Sequence, residues 1–244
     1  MPTQDNVEAP MKIIIFLLIF ISGTKVFAEN PDRESWAKIK SAQQKIAQEF
    51  ADVVEPTELF EKQAERALSG YNHLDPNRWV PSNLLASAVL YFDQNKTKFK
   101  NQNYITVVDF SPRSNNYRLF IINLKTGSVQ RYRTSHGEGS DANRDGYAES
   151  FGNVPGSRKS SLGYVRTAEV YYGSFGRSLR LDGLSSTNSK IRERAVVFHG
   201  WAPNVEANQI QPLSWGCVTI DTDFRDKVID QIKSGSLMLV HLSK

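Results

Sequence analysis

Close to residue 100 the spacing of apolar residues shortens from three or four positions to two, and that switch separates two kinds of architecture. Before it, Ile39, Ala42, Ile46, Phe50 and Val53 recur at helical steps. Phe60, Ala64, Ala67, Leu68 and Tyr71 do the same after Pro56, as do Leu85, Val89 and Phe92 after Pro81. Asp75-Pro76-Asn77 and Pro81 punctuate these stretches. After the switch, short runs rich in β-branched and aromatic residues predict strands. They are Tyr104–Phe110, Tyr117–Ile122, Val129–Thr134, Gly163–Tyr172, Ser178–Leu181, Ala195–His199 and Leu237–Leu242. Lys125-Thr126-Gly127 predicts a hairpin turn between the second and third. One helix interrupts them, capped by Asp221 or Asp223, buried through Phe224, Val228 and Ile232, and ended by Gly235. The pattern is that of an α+β protein, with a helical portion over residues 29–100 and a mixed, mostly β domain over 101–244.

Residues 1–28 follow export logic instead. Lys12 precedes the unbroken apolar run Ile13 to Ile21, then small residues and Val26-x-Ala28 before Glu29, the layout of a cleavable signal peptide. A bilayer-spanning helix needs about 20 apolar residues, so this run is too short to remain inserted after cleavage. An uncleaved anchor or a buried strand is the other reading of the same residues. The first ten residues fit no export pattern, which makes Met11 a candidate start.

Export changes the meaning of the one cysteine, Cys217. A single thiol forms no internal disulfide, and in an oxidising compartment it is a liability unless chemistry needs it. The net charge of +4 is spread along the chain without a Lys/Arg stripe interleaved with aromatics. Nucleic-acid binding therefore has no support, and the charge serves solubility or a weak attraction to an anionic wall polymer.

Two short segments carry the chemistry. Val197-Phe198-His199-Gly200 is an apolar strand ending on an imidazole, and Ser214-Trp215-Gly216-Cys217-Val218 places the thiol after a glycine able to turn sharply. If the segments neighbour each other, His199 can take the thiol proton and return one to a leaving amine. Backbone N–H groups around Trp215, Gly216 and Cys217 could then stabilise an oxyanion, with Ser214 orienting the loop or the substrate. The plainer reading keeps Cys217 as a buried core filler and His199 as a satisfied strand-end residue.

His199-Gly200 and Ser214-x-Gly216-Cys217 resemble the L,D-transpeptidase (YkuD-type) signature. Upstream, Phe151-Gly152-Asn153-Val154-Pro155-Gly156-Ser157 with Ser160-Ser161-Leu162-Gly163, and Ser178-Leu179-Arg180-Leu181-Asp182-Gly183-Leu184, are similar to the branch known as murein L,D-transpeptidase catalytic domain proteins. The resemblance runs from about residue 58 to the C-terminus. It implies an α+β L,D-transpeptidase catalytic domain over 101–244, exported to the periplasm or cell wall, with peptidoglycan stem peptides as partner and no metal or cofactor. It implies that Cys217 attacks the stem tetrapeptide, expels D-alanine and forms a thioester, and that an amine then takes the acyl group in a 3–3 crosslink. Water would make the same acyl-enzyme an L,D-carboxypeptidase or hydrolase, and loss of chemistry would leave a wall-binding module. The common signature has histidine where this chain has Trp215, which leaves any second imidazole to His136.

Other candidates are weaker in pattern. Gly200, His136, Asn153, Ser160, Ser161, Arg180 and Trp201 are candidates to line a peptide groove, each with packing as its alternative. Asp141, Asn143 and Asp145 match the first half of a calcium loop, but position twelve is Gly152 instead of the bidentate glutamate, so an ordinary polar loop is the competing reading. Oligomeric state has no signature in the sequence.

Overall fold

The computed structural model describes residues 69–201 and 208–244. The expected signal segment and the helical stretches before residue 69 lie outside the described residues. The sheet has eight strands: β1 (Tyr104–Asp109), β2 (Leu119–Asn123), β3 (Val129–Tyr132), β4 (Gly163–Gly173), β5 (Gly176–Gly183), β6 (Val197–Gly200), β7 (Val218–Ile220) and β8 (Leu237–His241). Their order is β3-β2-β1-β8-β4-β5-β6-β7. The β1–β8 and β6–β7 pairs are parallel and the others antiparallel.

Why strands such as Ile105–Val108 and Leu237–Val240 are apolar at nearly every position is answered by what covers them. Helix α1 (Ser82–Gln94) lies on one face, where Leu84, Ala88, Val89 and Phe92 join Ile105, Val107, Phe120, Ile122, Leu237 and Leu239. Helix α2 (Thr222–Ile232) lies on the other, where Val228, Ile229 and Ile232 join Val108, Leu119, Ile121, Met238 and Val240. Alternate side chains thus enter different cores, and a sheet buried on both faces has no polar side to show. Burying each such side chain contributes roughly 1.5–3 kcal/mol.

Local signals set the joints. The Asp75 carboxylate accepts the N–H groups of Trp79 and Val80 and fixes the turn before α1. At the hairpin, Gly127 takes φ +75° between β2 and β3, a left-handed conformation that disfavours a side chain. Asp221 caps α2 by accepting the Asp223 N–H at 2.9 Å. One expectation is corrected: Phe224 lies on the outer side of α2, 47% exposed, and Ile229 takes the inner position with Val228 and Ile232. The helical period permits either set, and the strands underneath select the aliphatic one. No described helix is long and apolar enough to cross a membrane.

The two edges of the sheet do not stay open. The Thr219 N–H on β7 donates to Thr134 Oγ1, and the Ser135 N–H donates to Thr219 Oγ1, each at 3.3 Å. These bonds draw the segment after β3 onto β7 and nearly close the sheet. We expect Ile229→Ala to cost about 2–5 kcal/mol in urea unfolding. Phe224→Ala should cost about 1 kcal/mol, the scale of its ring contact with Tyr132. Equal losses would contradict the orientation of α2.

Candidate active site

Strand register decides which residues can meet. In the β6–β7 pair, Phe198 faces Val218 and His199 faces Thr219. Alternation sends Phe198, Val218 and Ile220 into the core shared with α2. It sends Val197, His199 and Thr219 to the opposite face, and carried back one residue it puts Cys217 there too. Strand spacing and rise place the Cys217 and His199 Cα atoms about 8 Å apart, within reach of two side chains pointing the same way.

The imidazole is held in a definite state. His199 Nδ1 lies 2.8 Å from the Gly200 carbonyl oxygen. A carbonyl only accepts, so Nδ1 carries the hydrogen and Nε2 is left as the basic nitrogen. Phe175, from the β4–β5 hairpin, stacks on the ring at 4.1 Å, and Trp201 meets Phe175 edge-on at 5.3 Å. Burial holds the His199 pKa below its ordinary value, so the ring is neutral at pH 7.

The thiol is also neutral in this state. Cys217 is 8% exposed, and its sulfur lies 3.9 Å from the Ala195 carbonyl oxygen. Burial pushes the Cys217 pKa up, while a hydrogen bond from the Val197 amide and the positive charge of Arg194 act the other way. Among the described residues no hydrogen bond joins the sulfur to His199. The site is thus a neutral thiol and a neutral imidazole sharing a face, not a resting ion pair.

Arg194 is the residue the sequence did not mark. In Arg192-Glu193-Arg194 nothing distinguishes it from a surface charge, and Arg192 indeed pairs with Glu169 and Asp182. Arg194 instead turns inward, donating to the carbonyls of Gly152 and Lys159 at 2.8 and 2.6 Å and to Ser161 Oγ at 2.6 Å. It faces no carboxylate among the described residues, so its charge acts on the thiol. Gly216 completes the corner at φ +108°; a side chain there would meet the Lys159 carbonyl at 2.6 Å and Arg194 Nη2 at 3.3 Å.

The remaining candidates are placed as follows. Ser214 is buried; its Oγ donates to the Cys217 carbonyl at 2.8 Å and accepts the Gly216 N–H at 3.1 Å. The expectation that the Gly216 N–H points at a substrate oxygen is therefore corrected, because Ser214 already uses it. Trp215 is 68% exposed beneath the Arg158 guanidinium. Gly200 is buried, with Thr222 and Arg225 where a side chain would go. Arg180 shares the His199 face, lying over Tyr171 and 3.5 Å from Glu169.

Three groove candidates turn out to be struts. Both ends of the Asn153 amide are spent on Ser186, Ser189 and Lys190. Ser160 Oγ accepts the Gly137 N–H, and Ser161 Oγ donates to Gly152 while accepting from Arg194.

His136 is fully buried and presents no atom to a substrate. Its Nδ1 lies 2.7 Å from Arg118 Nη2 and its Nε2 3.1 Å from Asp141 Oδ2. Arginine only donates, so Nδ1 accepts and Nε2–H donates to the carboxylate. Around this ring the backbone grips the thiol segment: the Ser214 N–H donates to the His136 carbonyl, and the Glu138 N–H to the Ser214 carbonyl. The residues of the calcium-like pattern are bonded within their own loop and to His136. The Asp141 carboxylate is taken up by His136 and by the N–H groups of Asp145 and Gly146, and Asn143 and Asp145 likewise accept backbone N–H groups of their own loop.

Burial and the neighbouring Arg118 charge lower the His136 pKa to about 4. The unfolded imidazole takes a proton near pH 6.5 and the folded one does not, so stability falls as pH drops from about 6.5 to about 4 and then levels. The urea midpoint should fall through that window, less steeply in His136→Gln. For the thiol, Arg194→Met should slow iodoacetamide labelling of Cys217 several-fold near neutral pH, with the deficit closing in strong alkali. A uniform deficit at all pH values would point to access and not charge.

The family described as L,D-transpeptidase catalytic domain matches residues 77–241. Among solved structures, L,D-transpeptidase 1 of Mycobacterium tuberculosis is similar at 14% identity and TM-score 0.33, over 57% of this chain and 61% of that one. The helical cell-shape-determining protein of Campylobacter jejuni is similar at 10% identity and TM-score 0.39, over 60% and 49%. An L,D-transpeptidase from Stackebrandtia nassauensis is similar at 9% identity and TM-score 0.35, over 72% and 75%. The chain thus spans less than two thirds of the length of the first two. No curated protein matches.

Proposed function

The chain belongs to the L,D-transpeptidase catalytic-domain family, and from that premise we propose that it acts on peptidoglycan stem peptides through a thioester on Cys217. The observation that supports this most is the β6–β7 register, which gives Cys217 and the basic Nε2 of His199 the same face.

The first step transfers the thiol proton to His199 Nε2 as the sulfur attacks the amide carbon before the terminal D-alanine. The carbonyl oxygen becomes an oxyanion near the Arg194 cation, whose charge already acts on the thiol and which faces no carboxylate among the described residues. As the tetrahedral species collapses, the C–N bond breaks, the imidazolium returns its proton to the departing amine, and the acyl group stays on sulfur. An amine from another stem then adds to the thioester, gives its proton to His199 Nε2 and expels the thiolate, which takes that proton back, leaving a 3–3 crosslink. Because thiol and imidazole both rest neutral, the thiolate forms within this step, and no charged pair awaits the substrate. Family membership and the apolar segment of residues 13–21 together support an exported enzyme facing the wall.

Incubation with a purified disaccharide tetrapeptide, followed by mass spectrometry, tests the proposal. The wild-type chain is expected to release D-alanine, Cys217→Ala to release none, and His199→Ala to be slower by about 10²–10⁴-fold. Crosslinked dimers would identify transfer, and tripeptides alone hydrolysis. A wild-type protein no faster than Cys217→Ala would sink the enzymatic reading.

A further inference from the structure

On the outside of the nearly closed sheet, β3 and the beginning of α2 enclose a pocket of about 300 Å³, away from His199 and Cys217. Arg131 and Arg133 line it from the β3 side and Lys227 from α2, among the rings of Tyr117, Tyr132 and Phe224. Its one acid, Asp221, already caps α2 through the Asp223 N–H.

Cations of this protein are of two kinds, those that face a carboxylate and those that, like Arg118 and Arg194, form no ion pair among the described residues. Elsewhere Arg166, Arg177, Arg192 and Arg225 each face a carboxylate within 3.0 Å. Arg131, Arg133 and Lys227 make no ion pair among the described residues. Three cations against the one carboxylate of Asp221 leave the lining with a positive excess, and an incoming anion would relieve the repulsion among them.

Two of the three are also held ready. The Arg131 guanidinium lies 3.9 Å from the Trp79 ring and 4.8 Å from the Tyr117 ring. Arg133 lies 5.0 Å from the same Tyr117 ring, and its Nε–H donates to the Asn115 carbonyl at 2.7 Å. A guanidinium packed on an aromatic face keeps its in-plane N–H groups available for a bidentate carboxylate and loses little side-chain freedom on binding. The neighbouring Tyr117 and Phe224 rings, both about half exposed, offer an apolar surface to whatever carries that carboxylate.

The pocket is also linked to the thiol by the chain itself. Gln211 and Asp221, which line it, flank the segment that bears Cys217. Four residues of extended chain from Cys217 to Asp221 span about 13 Å, roughly the length of a short peptide.

We propose that this pocket is a second binding site, separate from the thiol, for a carboxylate-bearing ligand with an apolar or sugar face. On the reading given under Proposed function, on which this identification of the ligand rests, that ligand is the acidic stem peptide of a wall strand, held while another stem is presented to Cys217.

Calorimetric titration of the full chain carrying Cys217→Ala, which binds without turnover, tests the site directly. The probes are a soluble disaccharide tetrapeptide with free carboxylates, the same compound with those carboxylates amidated, and a glycerol phosphate polymer. Adding Arg131→Gln and Arg133→Gln should weaken the first probe at least tenfold, and amidation alone should weaken it comparably in the unsubstituted pocket. Unchanged affinity in the double variant would overturn the proposal, as would a preference for the phosphate polymer over the peptide. In the chain that retains Cys217, Arg131→Gln with Arg133→Gln should leave iodoacetamide labelling unaltered. Slower labelling would show that the substitutions act through the thiol segment and would overturn a separate site. Binding is read without catalysis, so a failure of D-alanine release leaves this result independent.

Discussion

The parallel pairing of β6 with β7 is the contact on which the site depends. β7 has only three residues and lies at the end of the strand order, so its own ladder gives it little hold. A slip of one position would turn Cys217 toward the core and Val218 toward the site, because side chains alternate across a strand. What prevents the slip comes from outside the pair. Val218 and Ile220 are locked into the core over α2. Thr219 is bonded to Thr134 and Ser135, and Ser214 is gripped on both sides by the chain around His136. The thiol segment is therefore positioned by residues some 80 positions earlier in the sequence.

That grip has an electrostatic foundation. Arg118 is completely buried, and burial lowers its pKa to about 9, so it remains charged at neutral pH. A buried cation is costly unless its N–H groups are satisfied. Here the Thr134 and Pro112 carbonyls and the His136 ring accept them, and Asp141 closes the chain of bonds on the far side of the imidazole. Such a network contributes more to uniqueness than to stability, since it is satisfied in only one arrangement of the loops. The same logic repeats nearer the thiol, where Arg194 finds its acceptors in the carbonyls and hydroxyls of the 152–161 segment. In one case a buried charge fixes the backbone behind the Cys217 thiol, and in the other it acts on the potential at the thiol.

The buried cysteine is not electrostatically isolated, because the Arg194 charge acts against the effect of burial on the thiol. Burial alone would keep the thiol protonated and slow. An unpaired guanidinium nearby and an imidazole with Nε2 as its basic atom shift that balance only when a proton has somewhere to go.

The sequence by itself determined the α+β class, most strand positions, the Asp221 cap and the pairing of Cys217 with His199 as the residues to watch. Each of these follows from local chemistry: a period of two, a capping side chain, a glycine before a thiol. Tertiary structure decided what periodicity leaves degenerate. It turned Phe224 outward and Ile229 inward, since either satisfies a helical face and only the opposing strands discriminate. It made His136 a buried strut, recruited Arg194 from an ordinary-looking charged run, and folded the Asp141–Asp145 loop onto its own amides. Those outcomes depend on partners far away in the chain, and the direction in which a polar side chain points is set by the donor or acceptor it finds after folding.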